Sequence, residues 1–366
     1  MQEMKAEQRE VSGEVAASSI LPAHGNGSGE HLVGAAALYR TVARRAVTAF
    51  GRRLEFGSSA IFFVLLLVVF MAISPNIWLS SRIYTACATT APQTIFLAVA
   101  LVFVIISGEI DLSFASVVTL SSYLFALTAT HGVPVILAVA IAVAAAVCAE
   151  LLAGVIVAYG GMSSFVVTLG LYYLWDGFVN VLANGNGIPV ATLEKSVVAR
   201  VYTGSLGTIP AQMLWAIGFT AVAVPLLGRR SFGLRALAVG DNREASREQG
   251  INVKRVKLGA FAFVGLASGA VGVMLCLVNT NFYPASGDDL LLPALAAVFI
   301  GGTAITGGAG TVMGAFMGSL SITIIGTGIV TSGLSGFYTQ FVFGIIIVLS
   351  VAVLRFTSGA RRTSIL

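Results

Sequence analysis

The chain has few charged residues and few of the residue types that bind metals or form disulfides. Only 10% of its 366 residues are charged, and it has three cysteines and three histidines. Each cysteine lies in an apolar run, without a second cysteine at metal-ligand or disulfide spacing, which indicates a small hydrophobic residue. Two of the histidines lie in the polar N-terminal tail, and no His/Asp/Glu group has metal-ligand spacing. The sequence therefore predicts neither a metal site nor a catalytic site.

A Walker-A phosphate loop is also missing. Its pattern, GxxxxGK[ST], needs a glycine directly before a lysine. None of the four lysines, Lys5, Lys195, Lys254 and Lys257, follows a glycine. The chain cannot hydrolyse ATP by this mechanism, and we do not predict it to be an enzyme.

Apolar sequence is what the chain has in abundance. Hydrophobic residues make up 57% of it, 41 residues are glycine, and the mean hydropathy is +0.93. These values lie far outside the range of soluble globular proteins. We therefore predict an all-α polytopic membrane protein.

Ten apolar runs are candidates to cross about 30 Å of hydrocarbon at a rise of about 1.5 Å per residue. They lie at 58–74, 86–106, 112–130, 133–158, 164–183, 212–228, 258–280, 293–306, 311–331 and 338–354. The eighth run is short, and its glycines make a helix there easy to break. We predict about ten transmembrane helices.

The distribution of positive charge tests this count, because Lys and Arg are retained on the cytoplasmic side. Of the 21 basic residues, seven precede the first span, eight lie between Arg229 and Lys257, and three follow the last span. Ten spans with both termini in the cytoplasm place these 18 inside and leave only three outside. An odd number of spans before residue 229 would remove the bias, whereas two spans miscounted together would not.

Composition divides the chain into four parts. Residues 1–35 are polar without apolar periodicity, which predicts a disordered cytoplasmic tail. Residues 36–57 mix arginine with apolar residues, which is typical of a basic amphipathic helix on the lipid surface or of an ordinary positive flank of the first span. Residues 58–356 form the predicted transmembrane domain, with a cytoplasmic loop at 229–257, and residues 357–366 form a cytoplasmic tail. The first strongly apolar run begins only near Ser59, so we expect no cleavable signal peptide.

The segment 238–251, AVGDNREASREQGI, predicts a short capped helix in the main cytoplasmic loop. Asp241 or Asn242 suits the N-cap, Glu244 stands in a capping-box relation to Asp241, and Gly250 suits the left-handed position that ends a helix. We expect a helix from Arg243 to Gln249 whose small residues allow close approach of another protein. The alternative is a loop helix that only retains positive charge.

Acidic residues at or inside predicted spans are functional-site hypotheses, because an ionisable group in hydrocarbon is energetically costly. Glu109 and Asp111 lie at the junction of two apolar runs, and Glu150 and Asp176 lie inside runs. Asp111 could cap a helix beginning at Leu112. The alternatives for this acidic pair are a substrate path and helix capping at the membrane edge.

Glycine spacing predicts close helix packing. Gly310, Gly314 and Gly318 form one small-xxx-small ridge, and Gly265 and Gly269 form another. We interpret both as packing within one subunit.

Four sequence blocks resemble those of the permease subunit of bacterial ABC importers for simple sugars, of the ribose, xylose and arabinose type. They are SGEIDLS (107–113), VAYGGMSSFVVTLG (157–170), AVGDNREASREQGINVKRVKL (238–258) and AVFIGGTAITGGAGTVMGAFMG (297–318). Their order over some 220 residues makes the likeness specific. It implies an ABC importer permease fold with broken or short helices in the bacterial inner (plasma) membrane.

The resemblance also implies partners. A coupling helix would dock in a groove of an ABC ATPase subunit, and two such helices would serve the two ATPases. The ATPases bind ATP and Mg, so that this chain itself binds no cofactor. The coupling candidates are Gly240, Asp241, Asn242, Arg243, Glu244, Ala245, Arg247, Gly250 and Ile251. A second permease copy or a paralogue would complete the pathway, and no nucleic acid is involved.

An extracytoplasmic sugar-binding protein would deliver the substrate to the outer loops. The docking candidates are Asn184, Asn186, Asp288 and Asp289. The candidates for the translocation path are Glu109, Asp111, Ser113, Ser116, Glu150, Thr168, Tyr172, Asp176 and Asn180. This chain departs from the family pattern at Glu109, Glu150 and Asp176, where glycine, glycine and arginine are common.

The expected function is therefore an ABC importer permease for a monosaccharide or related polyol. Three alternatives stay open. One is an ABC permease for branched-chain amino acids or nucleosides, and another is a proton-coupled secondary carrier that uses Glu150 or Asp176. The third is a membrane scaffold that does not transport.

Overall fold

The computed structural model describes residues 57–363. The predicted disordered tail (1–35) and all but the last residue of the predicted amphipathic helix (36–57) lie outside the described residues. The described part is mostly helical. Its helices are α1 (Gly57–Ile73), α2 (Pro75–Trp78), α3 (Ser81–Ile106), α4 (Phe114–Thr130), α5 (Val135–Gly160), α6 (Ser164–Ala183), α7 (Val197–Thr203), α8 (Ala211–Gly228), α9 (Ser231–Asp241), α10 (Arg243–Glu248), α11 (Val253–Val278), α12 (Leu291–Ile300), α13 (Val312–Thr331) and α14 (Phe337–Thr363).

Four two-residue strands link the loops at one end of the helices. Strand β1 (Ile188–Pro189) pairs antiparallel with β4 (Asn281–Phe282), with Ile188 opposite Phe282. Strand β2 (Ser205–Leu206) pairs antiparallel with β3 (Ile209–Pro210) as a hairpin. The first pair ties the loop after α6 to the loop after α11.

Each of the ten predicted apolar runs overlaps one helix of the structure. Six of these helices, α3, α5, α6, α8, α11 and α13, are long and apolar enough to cross a membrane. Helices α1 and α4 and the segment Phe337–Ser350 of α14 are shorter apolar helices. The prediction of a polytopic helical membrane protein is confirmed in this form.

The eighth predicted span differs from the structure. The prediction was a helix over 293–306, but α12 has only ten residues and ends at Ile300. A helix of ten residues is about 15 Å long, about half the hydrocarbon thickness. Glycines explain the early end, because Gly302 adopts φ +84° and Gly307 φ +87°, values that end an α-helix. Helix α12 alone does not cross a membrane.

Helix α3 occupies the centre of the described helices. All its residues from Ala91 to Ile106 are buried, and α8, α11, α12 and α13 pack around it. A helix that is apolar and buried on every side belongs to the core of a bundle. The C-terminal end of α3 is therefore surrounded by other elements, and the candidate site forms there.

The helical glycines of both predicted ridges pack within the chain, but Gly310 lies in the loop before α13, so that ridge keeps only Gly314 and Gly318. Gly265 and Gly269 of α11 face the α5 backbone at Val147 and Val143. On α13, Gly314 and Gly318 face the α12 end at Gly301 and Ala297. Small residues allow the helix axes to approach closely in each case.

Candidate functional site: a junction of three loops and a polar stripe

Three loops meet at the C-terminal end of α3. They are residues 107–113, the turn between α9 and α10 at 240–243, and the glycine-rich loop 301–311; we call this meeting point the junction. The Gly308 amide donates to the Ile106 carbonyl oxygen over 2.9 Å. A Cβ on Gly240 would collide with that same oxygen, and one on Gly307 would lie 2.9 Å from the Gly108 Cα. The junction therefore brings backbone against backbone.

One buried carboxylate holds two cations at the junction. The Glu109 Oε1 lies 2.5 Å from the Arg243 Nη2 and 2.6 Å from the Lys257 Nζ. The same Arg243 nitrogen donates to the Gly108 carbonyl over 3.0 Å. The side chains of Glu109 and Lys257 are 6% and 9% exposed, whereas that of Arg243 is 46% exposed. Glu109 thus joins the first residue of α10 to the second turn of α11 and to the loop that leads into α4.

Lys257 was assigned to the cytoplasmic loop by its charge, but the structure places it inside α11, which begins at Val253. Sequence reasoning missed its role. A lysine is almost never buried without a partner, so a lysine directly before an apolar run is a signal to search for an acid. The acid is Glu109, 148 positions earlier in the chain.

A second acidic group lies deeper in the bundle. The Ser113 hydroxyl donates to the Asp111 Oδ1 over 2.7 Å and lies 3.4 Å from the Glu150 Oε1. Asp111, Ser113, Ser116 and Glu150 are all buried. The Ser116 hydroxyl donates to the Ser113 carbonyl. The structure therefore brings these four path candidates together.

The predicted cap at Asp111 differs in detail. Helix α4 begins at Phe114 rather than Leu112, with Ser113 at its N-cap. The Asp111 Oδ1 accepts from the Ser113 amide over 2.8 Å, which is a local Asx turn. Its Oδ2 is buried without a hydrogen-bond partner among the described residues. Asp111 therefore shapes the loop that enters α4, and Ser113 takes the N-cap position predicted for Asp111.

Helix α6 holds the same loop from the other side. The Ile110 amide donates to the Ser164 Oγ over 3.0 Å, and the Thr168 hydroxyl lies 3.3 Å from the Ile110 carbonyl oxygen. Thr168 was a path candidate, whereas Ser164 was missed, because a serine in a glycine- and serine-rich turn carries no distinctive sequence signal. Loop 107–113 thus contacts α5, α6, α10 and α11.

Further along α6, path candidates follow at every fourth residue. Thr168, Tyr172, Asp176 and Asn180 share one helix face by this spacing; we call them the stripe. The Asn180 Nδ2 lies 3.2 Å from the Asp176 Oδ1. Thr168 is fully buried, whereas Tyr172, Asp176 and Asn180 are half-buried. The stripe is therefore partly open beyond its first residue.

Asp288 joins the stripe. The Tyr172 hydroxyl donates to the Asp288 Oδ1 over 2.8 Å. Burial raises the pKa of Asp288 above its usual range, the nearby charges of Asp176 and Asp289 act in the same direction, and the Tyr172 hydrogen bond opposes them. Asp288 is a predicted docking residue on an acidic edge, but in the structure it accepts a hydrogen bond from a path candidate, Tyr172.

The other docking candidates lie in exposed loops. Asn184 ends α6 in the left-handed conformation, with φ 49°. The Asn186 Nδ2 donates to the Asn184 carbonyl over 3.1 Å, and Asp289 is exposed. These three residues stay available at the surface of the described chain.

Helix α10 is the predicted capped helix, and Asn242 is its cap. The Asn242 Oδ1 accepts from the amides of Glu244 and Ala245, both over 3.0 Å. Asp241 is instead the last residue of α9, so the capping box expected between Asp241 and Glu244 does not form. Gly250 has φ +76° and ends the turn as predicted. Helix α9 itself was not predicted.

The small-residue side of α10 is turned toward the chain. Ser246 is 3% exposed and its carbonyl accepts from the Ile251 amide. Glu244, Arg247 and Glu248 are exposed. The surface that α10 presents is therefore mainly charged, and of its two small residues only Ala245 is partly exposed.

Comparisons with known proteins agree with a bundle of this kind, which is typical of transport permeases. A family model described as branched-chain amino acid transport system / permease component matches residues 83–351. The chain belongs to this family, and it is a multi-pass protein of the inner membrane.

Several curated relatives are similar over most of their length. The ribose import permease protein of Bacillus subtilis (strain 168) is 31% identical over 256 residues, covering 70% of this chain and 79% of the relative. The ribose import permease protein of Escherichia coli (strain K12) is 29% identical, covering 81% and 92%. The L-arabinose ABC transporter permease protein of Azospirillum brasilense is 31% identical, covering 73% and 78%. No solved structure matches the chain.

Proposed function

We propose that this chain forms the translocation path of an ATP-driven importer for a monosaccharide or related polyol. Separate ATPase subunits drive it, a binding protein delivers the substrate, and a second permease copy or a paralogue completes the path. Relatives named for ribose and for L-arabinose support the substrate class. The stripe supports it too, because a phenol, an amide and carboxylates suit a path for hydroxylated molecules.

The observation that carries the proposal is the contact between Arg243 and Glu109. Arg243 is the first residue of α10, and Glu109 lies in the loop that leads into α4. A displacement of α10 would move the arginine against a carboxylate that is also held by Lys257. Coupling needs such a physical link between the docking element and the membrane helices.

We assign α10 as the element that docks on the ATPase. Its exposed charged side chains that make no ion pair within the described residues, Glu244, Arg247 and Glu248, form the face available to a partner, and its Asn242 cap fixes the start of the helix. Two such helices, one from each permease, would transmit nucleotide-driven closure of the ATPases to the spans.

We also propose that the chain crosses the membrane ten times with both termini in the cytoplasm. The short α12 fits this topology, because the loop 301–311 after it adds to its length. Irregular backbone is tolerated at membrane depth where protein covers it, and Gly301 and Thr303 are buried. The bias of basic residues supports the same orientation.

Reconstitution tests the proposal. The chain is placed in proteoliposomes with a candidate ABC ATPase and a candidate sugar-binding protein, and uptake of labelled ribose, xylose and arabinose is measured with and without ATP. We expect uptake that needs ATP and survives collapse of the proton gradient. Uptake that follows the gradient and ignores ATP would indicate the proton-coupled carrier, and no stimulated ATPase activity would indicate a scaffold.

The family description favours one second candidate, a permease for branched-chain amino acids. The same vesicles distinguish it, because labelled leucine replaces the sugar in a parallel assay. Leucine uptake without sugar uptake would reject the sugar class and keep the importer.

A further inference from the structure

A polar cavity lies at the end of the bundle opposite α10. It has a volume of about 340 Å³ and is lined by polar residues of α3, α7, α8 and the loops around them. The polar residues are Thr89, Glu194, Thr203, Gln212 and Thr280. None of the nine translocation-path candidates lines it. Small-molecule pockets have volumes of about 300–1,000 Å³, so the cavity is at the small end of that range.

The amide of Gln212 is the clearest sign of a ligand. Gln212 is 3% exposed, and its Oε1 is buried without a hydrogen-bond partner among the described residues. A buried acceptor without a partner is destabilising by about 1–3 kcal/mol. Gln212 lines the cavity, and a 180° rotation of its amide group would turn this acceptor toward a ligand hydroxyl there.

The other polar groups also offer acceptors. The Thr89 hydroxyl donates to the Thr85 carbonyl over 3.0 Å, and the Thr203 hydroxyl donates to the Ala199 carbonyl over 2.8 Å. Their hydrogens are committed to the helices, and their oxygen lone pairs remain. The cavity therefore accepts hydrogen bonds and suits a ligand rich in donors.

The charge of the cavity lining favours a ligand with hydroxyl donors over a ligand with an ammonium group. Glu194 is the charged residue of the lining, and it is exposed. The buried acceptor, Gln212, is neutral, so an ammonium group would lose its hydration without meeting an opposite charge. Hydroxyl groups do not carry this penalty. Leu277 and Val278 give the cavity an apolar wall that suits the C–H face of a sugar ring.

Backbone strain occurs at the same place. Thr280 has φ 51°, a left-handed conformation that is a genuine outlier for a β-branched residue. Its carbonyl accepts from the Val190 amide over 2.9 Å, which ties together two lining residues. Strain of this kind persists where the surrounding structure over-determines it, and it clusters at ligand sites.

We propose that this cavity is a binding site for a neutral polyhydroxylated molecule of monosaccharide size, separate from the path candidates. Gln212 accepts a hydrogen bond from a ligand hydroxyl in the interior, and Glu194 accepts one at the rim. The choice of a sugar rests on the proposed function, but binding to the site needs neither the ATPase nor transport.

Saturation-transfer-difference NMR on the full chain in nanodiscs tests the site. The probes are D-ribose, L-arabinose, D-galactose and myo-inositol, with ethanolamine as the ammonium probe. We expect saturable signals from at least one polyol and none from ethanolamine. Gln212→Leu should weaken binding at least about tenfold through loss of the buried acceptor, and Glu194→Gln should weaken it less.

Thermal unfolding separates loss of binding from loss of folding. Gln212→Leu removes an unsatisfied acceptor, so its melting temperature should equal or exceed that of the wild type. Gln93→Leu is the matched control, because Gln93 is also buried and does not line the cavity; it should leave binding unchanged.

Three outcomes would overturn the proposal: no saturable polyol signal in the wild type, wild-type binding by Gln212→Leu, or binding of ethanolamine in place of the polyols. If ATP-dependent sugar uptake is intact in such a case, the cavity assignment alone fails. If uptake is absent while a polyol binds the cavity, the proposed import function fails and the binding site stands.

Discussion

The junction and the stripe are built in opposite ways. At the junction, glycines bring three loops into backbone contact, and one buried carboxylate holds two cations. Along the stripe, polar side chains follow one face of α6, and three of the four, Tyr172, Asp176 and Asn180, are only half-buried. A crowded region transmits displacement, because packed backbone cannot deform gradually. An open polar face can instead accommodate a passing molecule.

This difference predicts that substitutions at the junction disturb folding and coupling, whereas substitutions on the stripe leave the fold nearly intact. Four changes test it, and their expected effects decrease from the junction outward.

Gly240→Ala should have the largest effect. Its Cβ would collide with the Ile106 carbonyl oxygen and lie 2.6 Å from the Gly308 nitrogen. Overpacking against side chains is typically destabilising by about 1–3 kcal/mol, and backbone atoms yield less than side chains do. We expect little folded protein after detergent extraction, measured by size-exclusion yield and thermal unfolding.

Gly218→Ala is the matched control for Gly240→Ala. Gly218 lies in α8, and an added Cβ would meet nothing within 4 Å. Alanine has the higher helix propensity, so the control should be as stable as the wild type or more stable. Equal yields of the two variants would contradict a crowded junction.

Glu109→Gln should have the next largest effect. Removing one partner of a buried ion pair is destabilising by about 3–5 kcal/mol, and because Arg243 is half exposed we expect about 3 kcal/mol. The remaining protein should hydrolyse more ATP per sugar imported, since α10 has lost its ion pair with loop 107–113 and keeps only the hydrogen bond from Arg243 to the Gly108 carbonyl. The two measurements are thermal unfolding and the ratio of ATP hydrolysis to uptake.

A double-mutant cycle shows whether Lys257 is the partner that matters. Glu109→Gln together with Lys257→Met removes both buried charges, so the double variant should be destabilised by less than the sum of the two single variants. Additive losses would mean that the two side chains act independently.

Much of the fold was predictable, because each apolar helix coincides with an apolar run of the sequence. In addition, Gly250 ends α10 at the position where a left-handed residue was expected. The junction was less predictable. The contacts of Glu109 with Arg243 and Lys257 join positions far apart in the chain, and periodicity and capping rules report only on neighbours. Helix α9 was missed because the loop was interpreted by its charge, although Ala236 and Val239 bury one side of it.

Asn242→Ala should have a smaller and more local effect. It removes the oxygen that accepts from the amides of Glu244 and Ala245, and loss of such a cap is destabilising by about 1 kcal/mol. Faster hydrogen exchange of these two amides measures it. Asp241→Ala is the control, since Asp241 caps nothing in α10; if it speeds exchange as much as Asn242→Ala, the cap has been assigned to the wrong residue.

Tyr172→Phe on the stripe should have the smallest effect, at most about 1 kcal/mol for one hydrogen bond, and the effect should depend on pH. Burial raises the pKa of Asp288, so ionisation of Asp288 lowers stability as the pH rises through that pKa. The Tyr172 hydroxyl stabilises the ionised form, and its removal raises the pKa of Asp288 further. The loss of melting temperature should therefore be larger at neutral pH than at acid pH.

Tyr173→Phe is the control, because Tyr173 is 67% exposed and should give no pH-dependent difference. Equal losses at both pH values for Tyr172→Phe would mean that Asp288 keeps one charge state throughout, and that the stripe contacts it only as a neutral group or only as an ion.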